Sequence, residues 1–274
     1  MKELLRFEQV SYQYDSGEER EALFPLSVCL YEGEKIAVLG SNGAGKSTFF
    51  LLANGVLSPG SGTVVLEGTP IGKREKQRMA LRRTVGLVFQ DPDVQLLAGT
   101  VEEEISFGPM NLGLPEEEVC RRVEMALESL GLTRYRSRGP QYLSGGEKRR
   151  VAIADILAME PKLMLLDEPS SNLDPAGRQL LEETLETLHR KGMALAVATH
   201  DVDFAWRWAD RVLVFHGGRL ERDDKPEAVF ADEELLSRCG LEQPILWKVA
   251  KALKIPVPKS PEELADYQIG RKTE

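Results

Sequence analysis

Cysteine and histidine are scarce in this sequence, with three of each in 274 residues. Cys29, Cys120 and Cys239 lie far apart, form no C-x-x-C pair and have no histidine at metal-ligand spacing. Neither a zinc knuckle nor a disulfide framework is encoded. The three are read as reduced, mostly buried thiols rather than as redox or metal ligands. Long apolar runs are missing as well. None approaches the roughly 18 residues that cross a bilayer, and the opening MKELLRFEQV lacks the apolar stretch of a secretory leader. The expectation is a chain that stays in the cytoplasm. Surplus positive charge is also absent: 35 Lys and Arg face 44 Asp and Glu, a net charge of -9. A protein that neutralises duplex phosphates leans the other way, so no nucleic-acid partner is expected. Internal repeats and low-complexity segments are not found.

What remains is the composition of an ordinary folded protein, 42% hydrophobic and 29% charged. The length suits one large domain or two modest ones with a proper core. Short apolar runs alternate with segments of helical period, the pattern of an α/β fold. KIAVLG, TVVLEG, VGLVFQ, KLMLLDE, ALAVATH and RVLVFHG read as strands. Several are apolar without alternation, as strands buried on both faces of a largely parallel sheet are. From about 91 to 160 the texture turns helical. PEEEVCRRVEMALESLGL carries acids in its first turn and apolar residues at Val119, Val123, Ala126, Leu127 and Leu130. After about residue 225 come short, proline-punctuated helical stretches and a polar end, QIGRKTE, expected to fray.

The chemistry is concentrated in two places. Gly40-Ser41-Asn42-Gly43-Ala44-Gly45-Lys46-Ser47 fits G-x-x-x-x-G-K-S/T, directly after the strand KIAVLG and before the helical run STFFLLANGV. Glycines let backbone N–H groups approach phosphate, and the helix that follows adds its positive end. In this setting Lys46 reaches the β and γ phosphates of a nucleoside triphosphate, and Ser47 offers a hydroxyl to Mg²⁺. The alternative is a plain glycine-rich turn. KLMLLDE ends in Asp167 and Glu168, two carboxylates at the carboxyl edge of the sheet, where open α/β sheets bind ligands. Asp167 is read as holding Mg²⁺ and Glu168 as the base that polarises the attacking water, against the alternative of two surface carboxylates.

Leu143-Ser144-Gly145-Gly146-Glu147 precedes the helical run KRRVAIADILAMEP and lies about twenty residues before the acidic strand. A serine and two glycines at a helix start offer a second anion site of exposed N–H groups and a hydroxyl, or else are a plain helix cap. The motif resembles the LSGGQ signature of ABC ATPases, with Glu147 in place of Gln. That resemblance, carried over about residues 4–240, implies a head-to-tail dimer in which the signature of one copy closes on the ATP of the other. The ATP-binding set it implies is Gly40, Ser41, Asn42, Gly43, Ala44, Gly45, Lys46, Ser47, Thr48, Gln90 and Tyr14. Gln90 resembles the Q-loop glutamine that contacts Mg²⁺ with Ser47 and Asp167. Asp174, in Ser-Asn-Leu-Asp, resembles the D-loop aspartate, Asn172 being a mild departure. His200 matches the switch histidine and joins Glu168 as catalytic. Tyr14 resembles the aromatic that stacks on adenine, with Tyr12 a competitor and core packing open to either ring.

The implied fold is α/β: a P-loop NTPase with a RecA-like parallel-sheet core, an antiparallel β subdomain, a helical signature subdomain at about 91–160 and a small C-terminal helical appendage. The ATPase domain is expected over 1–240 and the extension and tail over 241–274. The stretch VFQDPDVQLLAGTVEEEISFGPMNLGLP resembles ATPases of energy-coupling-factor importers, and VDFAWRWADRVLVF their cobalt and nickel members; vitamin uptake is the alternative. The resemblance implies Mg-ATP, a homodimer or a heterodimer with a second ABC ATPase, and a peripheral place on the cytoplasmic face of the membrane. It also implies a transmembrane coupling subunit seated near Gln90 and Gln95. Val94, Leu96 and Leu97 either form a groove for a helix of that subunit or pack the helical subdomain. ABC ATPases of DNA repair carry long coiled-coil insertions and those of translation carry paired cassettes, and this chain has neither. A nucleotide-dependent interaction module that binds ATP without hydrolysis is disfavoured by Glu168 and His200.

Overall fold

The computed structural model describes residues 2–14 and 21–267. The tail QIGRKTE and part of the SYQYDSG stretch lie outside the described residues. Ten strands and twelve α-helices are formed among those described.

Five parallel strands make the central sheet: β3 (Lys35–Leu39), β6 (Val85–Val88), β7 (Leu163–Asp167), β8 (Ala194–Thr199) and β9 (Arg211–His216). A sixth, β10 (Arg219–Asp224), returns antiparallel against β9, giving the order β10-β9-β3-β8-β7-β6. Every residue of β6, β7 and β8 is buried, which is why these runs show no alternation. Their alternate side chains nonetheless go to opposite faces. Leu163, Leu165, Ala196, Ala198 and Phe215 join one apolar cluster, and Met164, Leu166, Leu195, Val197 and Val214 join the other.

The first cluster is closed by α1 (Lys46–Asn54) and an antiparallel sheet in the order β2-β1-β4-β5. Its strands are β1 (Glu3–Gln13), β2 (Glu21–Tyr31), β4 (Ser61–Leu66) and β5 (Thr69–Ile71). TVVLEG therefore is a strand, but it is β4 of this second sheet. Helix α2 (Glu75–Thr84) leads from β5 into β6.

Helices cover the other face. The stretch expected to be helical holds α3 (Pro92–Gln95), α4 (Val101–Asn111), α5 (Glu116–Ser129) and α6 (Gly145–Ala158). Val119, Val123, Ala126, Leu127 and Leu130 are all buried. On the same face lie α7 (Pro175–Arg190), α8 (Val202–Trp208), α9 (Pro226–Ala231), α10 (Glu233–Arg238), α11 (Ile245–Leu253) and α12 (Pro261–Asp266). Leu235, Cys239, Leu241 and Leu246 share one cluster with the central strands. The Trp206 indole donates to the Pro258 carbonyl at 2.8 Å and meets Trp247 edge-on at 5.4 Å between centroids. Apolar packing thus runs on continuously across residue 240.

One sequence expectation needs correcting, and one that was left open divides. Of the cysteines only Cys239 is buried; Cys29 is half-buried and Cys120 exposed, because it stands on the solvent side of α5 beside inward-facing Val119. The apolar trio after the Q-loop divides: Leu96 is buried, while Val94 and Leu97 are 64% and 84% exposed. Phe107 and Met110 of α4 are exposed too.

One partly buried acid, Asp155, makes stability pH-dependent. Burial pushes the Asp155 carboxyl up to about 7, opposed by a hydrogen bond from the Gln95 amide and reinforced by the charge of Glu104. Unfolded, the same group ionises near pH 4. Between those values the folded chain keeps a proton that the unfolded chain has lost, so this contribution to stability is complete below about pH 4 and is lost as pH rises through about 7. Asp155→Asn is expected to raise Tm, and by more at pH 8 than at pH 5. Equal gains at the two pH values in a thermal melt would show that the carboxyl titrates normally.

Candidate functional site

Because β3, β6, β7 and β8 run parallel, their carboxyl ends share one edge. The phosphate loop leaves β3, Gln90 follows β6, Asp167 ends β7 with Glu168 just after it, and His200 follows β8. A cleft of about 370 Å³ opens there. Every member of the loop from Ser41 to Thr48 lines it, together with Tyr14, Gln90, Asp167 and Glu168.

The loop's shape requires its glycines. Gly45, at φ 105°, starts α1, and a Cβ on Gly40 would lie 2.4 Å from the Phe215 carbonyl. No side chain caps α1 and no acid sits in its first turn, so its leading N–H groups remain donors toward the loop. An anion is what such a helix start accepts. Lys46 is buried, and its ammonium donates to the carbonyls of Gly40 at 2.6 Å and Ser41 at 3.3 Å. It also stands 3.7 Å from Glu168 Oε1.

Asp167 is buried, and burial pushes its carboxyl up; the Ser47 hydroxyl, the Lys46 ammonium and the Arg149 guanidinium pull the other way. Glu168 is buried as well and adopts φ 44°, a left-handed backbone rare outside glycine. Its N–H is held by the Ala198 carbonyl of β8 at 2.9 Å. Oε2 lies 3.0 Å from His200 Nδ1, while Oε1 is buried with no hydrogen-bond partner. A buried carboxylate oxygen without a donor is costly unless something binds it. His200, its ring 72% exposed, does not line the cleft but reaches it through Glu168.

The hard oxygen donors of Ser47, Asp167 and Gln90 suit Mg²⁺, which takes one or two carboxylates and completes its shell with phosphate oxygens and water. Among the described residues no group of three or more His, Cys, Asp or Glu could cage a metal alone. Of the two tyrosines, Tyr14 lines the cleft, is 41% exposed and bonds Thr48 Oγ1 at 3.2 Å. Tyr12 packs against the core cluster, edge-on to Tyr14.

The signature residues are elsewhere. None of Leu143, Ser144, Gly145, Gly146 and Glu147 lines the cleft. Ser144 caps α6 in a reciprocal box with Glu147. Glu147 Oε2 accepts from the Ser144 N–H and hydroxyl, both at 2.8 Å, and Oε1 accepts from the Tyr135 hydroxyl. These bonds, the Tyr135 one foremost, hold the Glu147 carboxyl down to about 2. Asp174 caps α7, accepting from the Gly177 N–H at 2.7 Å, and Asn172 beside it has φ 61°. A groove lined by Gly145, Asn172 and Leu173 also contains Gln90.

Sequence reasoning passed over Arg149. It is 4% exposed and donates to the carbonyls of Phe89 at 2.7 Å and Gln90 at 2.6 Å. A signal existed: Arg149 stands three and four residues before the buried Ala152 and Ile153, so helical period points it inward. In a run of three basic residues that hint is easily lost.

The ABC transporter family model matches residues 23–171. Energy-coupling factor transporter ATP-binding protein EcfA2 of Methanospirillum hungatei is 44% identical over 261 residues, 95% of this chain and 65% of that protein. The chain thus spans slightly under two thirds of that relative. CbiO1 of Clostridium perfringens, part of the CbiONQ ABC transporter complex, superposes with a TM-score of 0.76 at 38% identity, over 93% of this chain and all of that one. A dimeric ATP-binding cassette in a post-hydrolysis state with ADP and phosphate superposes at 0.72 and 29% identity, over 81% of this chain and 99% of that one. A phosphate loop, an acidic strand end and a capped signature helix in this arrangement, with such relatives, mean that the chain belongs to the ABC transporter family, as one of its ATPases.

Proposed function

We propose that the chain is the ATP-hydrolysing subunit of an energy-coupling-factor importer, working as a dimer around Mg-ATP beneath a transmembrane subunit. One observation carries the dimer: the cleft contains Lys46, Asp167 and Glu168 but no signature residue. A second copy supplies what the first lacks, in a two-fold arrangement where each face repeats. The dimeric post-hydrolysis cassette supports that geometry. Each chain carries both halves of a site, so a homodimer suffices.

In this reading the loop N–H groups and Lys46 grip the phosphates, and Tyr14 rather than Tyr12 stacks on the adenine ring. Ser47, Asp167 and Gln90 hold Mg²⁺, which when bound neutralises charge building on the transferred phosphoryl group. Glu168 Oε1, which accepts no hydrogen bond, takes the proton of the attacking water, and His200 holds Glu168 in place through Nδ1. Asp174 keeps the D-loop turned toward the dimer face. Loss of the γ phosphate removes the bridge to the partner's Ser144 and the dimer opens.

Exposed Val94 and Leu97, which flank Gln95 in the chain after Gln90, form the seat of a helix of the transmembrane subunit together with exposed Phe107 and Met110 of α4. No helix among the described residues is long and apolar enough to cross a membrane, in keeping with a peripheral place on the cytoplasmic face. The stretch VDFAWRWADRVLVF, which resembles the cobalt and nickel members of these importers, favours a transition metal as cargo. Purifying the membrane complex and identifying its subunits and cargo tests this: a co-purifying metal-binding subunit is expected, and a vitamin-binding subunit in its place would reassign the cargo.

The Glu147 carboxylate gives a prediction with two opposite signs. It competes for the Ser144 hydroxyl and adds a negative charge beside the partner's γ phosphate. Glu147→Gln should tighten ATP-driven dimerisation roughly fivefold, from about 1 kcal/mol of relieved repulsion. The same change weakens a carboxylate at a helix start, so Tm should fall slightly. Weaker dimerisation in sedimentation would mean that the carboxylate helps rather than hinders closure.

A further inference from the structure

Helix α6 begins at the signature Ser144 and carries Arg149 in its second turn. The guanidinium reaches away from its own helix and clamps two successive peptide carbonyls, Phe89 and Gln90, where the chain leaves β6. A second tie runs beside it. The Gln95 amide donates to the Ala152 carbonyl of α6 at 2.9 Å, and its oxygen accepts from the Phe89 N–H at 3.2 Å. At the surface Lys148 pairs with Asp93 at 2.6 Å. The Q-loop entry is therefore fastened to the signature helix on both sides of the Phe89 peptide. Gln90 itself lines this chain's phosphate cleft.

From this geometry we infer that Arg149 is a positioning residue that couples the two ATP sites of the dimer, by making the signature helix and Gln90 of one chain move as one body. In a head-to-tail pair, Ser144 serves the partner's nucleotide while Gln90 serves the chain's own. A shift of α6 on engaging the partner's γ phosphate is carried through the guanidinium to the two carbonyls and so to Gln90. Two bonds of a planar fork transmit both translation and rotation, which one bond from a flexible stem does not. The burial of Arg149 keeps water from replacing either bond. Its charge also faces Asp91 and Asp167, so a test has to separate charge from clamp.

Arg149→Lys makes that separation, because an ammonium keeps the charge but lacks the planar fork that fixes the orientation of both carbonyls. The inference rests on the dimeric reading above, and the full chain's steady-state phosphate release against ATP concentration tests it. The unaltered chain should show a Hill coefficient approaching 2, the number of sites, and Arg149→Lys about 1. Nucleotide affinity at limiting protein concentration should stay within about threefold, since Lys46 and Ser47 are untouched. A structural role alone lowers Tm and scales kcat without changing the Hill coefficient. Cooperativity retained in Arg149→Lys overturns the coupling and leaves the ATPase reading intact, whereas an unaltered chain that releases no phosphate removes both. If the variant does not fold, hydrogen exchange on the unaltered chain decides. Amides at 89–91 and at 145–149 should gain protection at the same ATP midpoint, and separate midpoints overturn the inference.

Discussion

Glu168→Gln is expected to bind ATP with near-normal affinity, to release phosphate at least about 100-fold more slowly, and to elute as a stable dimer when ATP and Mg²⁺ are present. The magnitude follows from removing a positioned general base, which supplies about 10²–10⁴ in rate. The substitution is close to isosteric, and the geometry says why binding survives. Glu168 touches Lys46 only at 3.7 Å, whereas Lys46 is held by the Gly40 and Ser41 carbonyls and needs no help from the carboxylate to stay in the loop. The catalytic oxygen, Oε1, is buried with no hydrogen-bond partner, so the change breaks no hydrogen bond there and weakens only the 3.7 Å contact with Lys46. Trapping follows because closure depends on the γ phosphate, which the variant no longer removes. Size-exclusion chromatography with ATP and then with ADP reads the trap, and phosphate release reads the rate. Turnover equal to that of the unaltered chain would remove Glu168 from the base role.

The parts of this site that were legible in the sequence are those whose chemistry is local. A glycine-rich loop between strand and helix, two acids closing an apolar strand and a Ser-Gly-Gly helix start need only near neighbours to be recognised. KLMLLDE and ALAVATH were readable because strands buried on both faces are uniformly apolar. Less legible were β1 and β2, whose mixed burial follows from lying in a sheet with one covered face, and β5, three residues long. TVVLEG shows the limit of composition: its apolar run fits either sheet, and only pairing with β1 decides. Arg149 was missed for a different reason. Its partners are backbone carbonyls sixty residues away in sequence, and a carbonyl has no signature in the residue type. The Glu147 substitution was visible, but the Tyr135 hydroxyl that completes its bonds was not. Which of Val94, Leu96 and Leu97 pack inward was not legible either, since only burial separates Leu96 from its neighbours.

Lys46→Ala tests the opposite half of the cycle, and its expected result is loss of nucleotide rather than loss of turnover. The ammonium sits where the loop N–H groups and the start of α1 converge, so a triphosphate there exchanges the two carbonyl contacts for charge-assisted bonds to phosphate oxygen. Such bonds contribute about 1.5–3 kcal/mol each, and losing them should weaken ATP binding by roughly 100-fold. Stability should change far less, because truncation leaves two carbonyls in need of a partner while also relieving a buried charge, two effects of opposite sign. Lys46→Met separates charge from packing: it keeps the apolar stem beside Thr48 and the loop but offers no donor. Both variants should lose affinity alike in a calorimetric titration, and ATP should fail to dimerise the double variant Lys46→Ala, Glu168→Gln. If Lys46→Met binds ATP as tightly as the unaltered chain, phosphate is held by the backbone alone and the lysine serves only to brace the loop. A double variant that still dimerises with ATP would separate closure from the phosphate loop, and with it remove the shared grip on which the dimeric site depends.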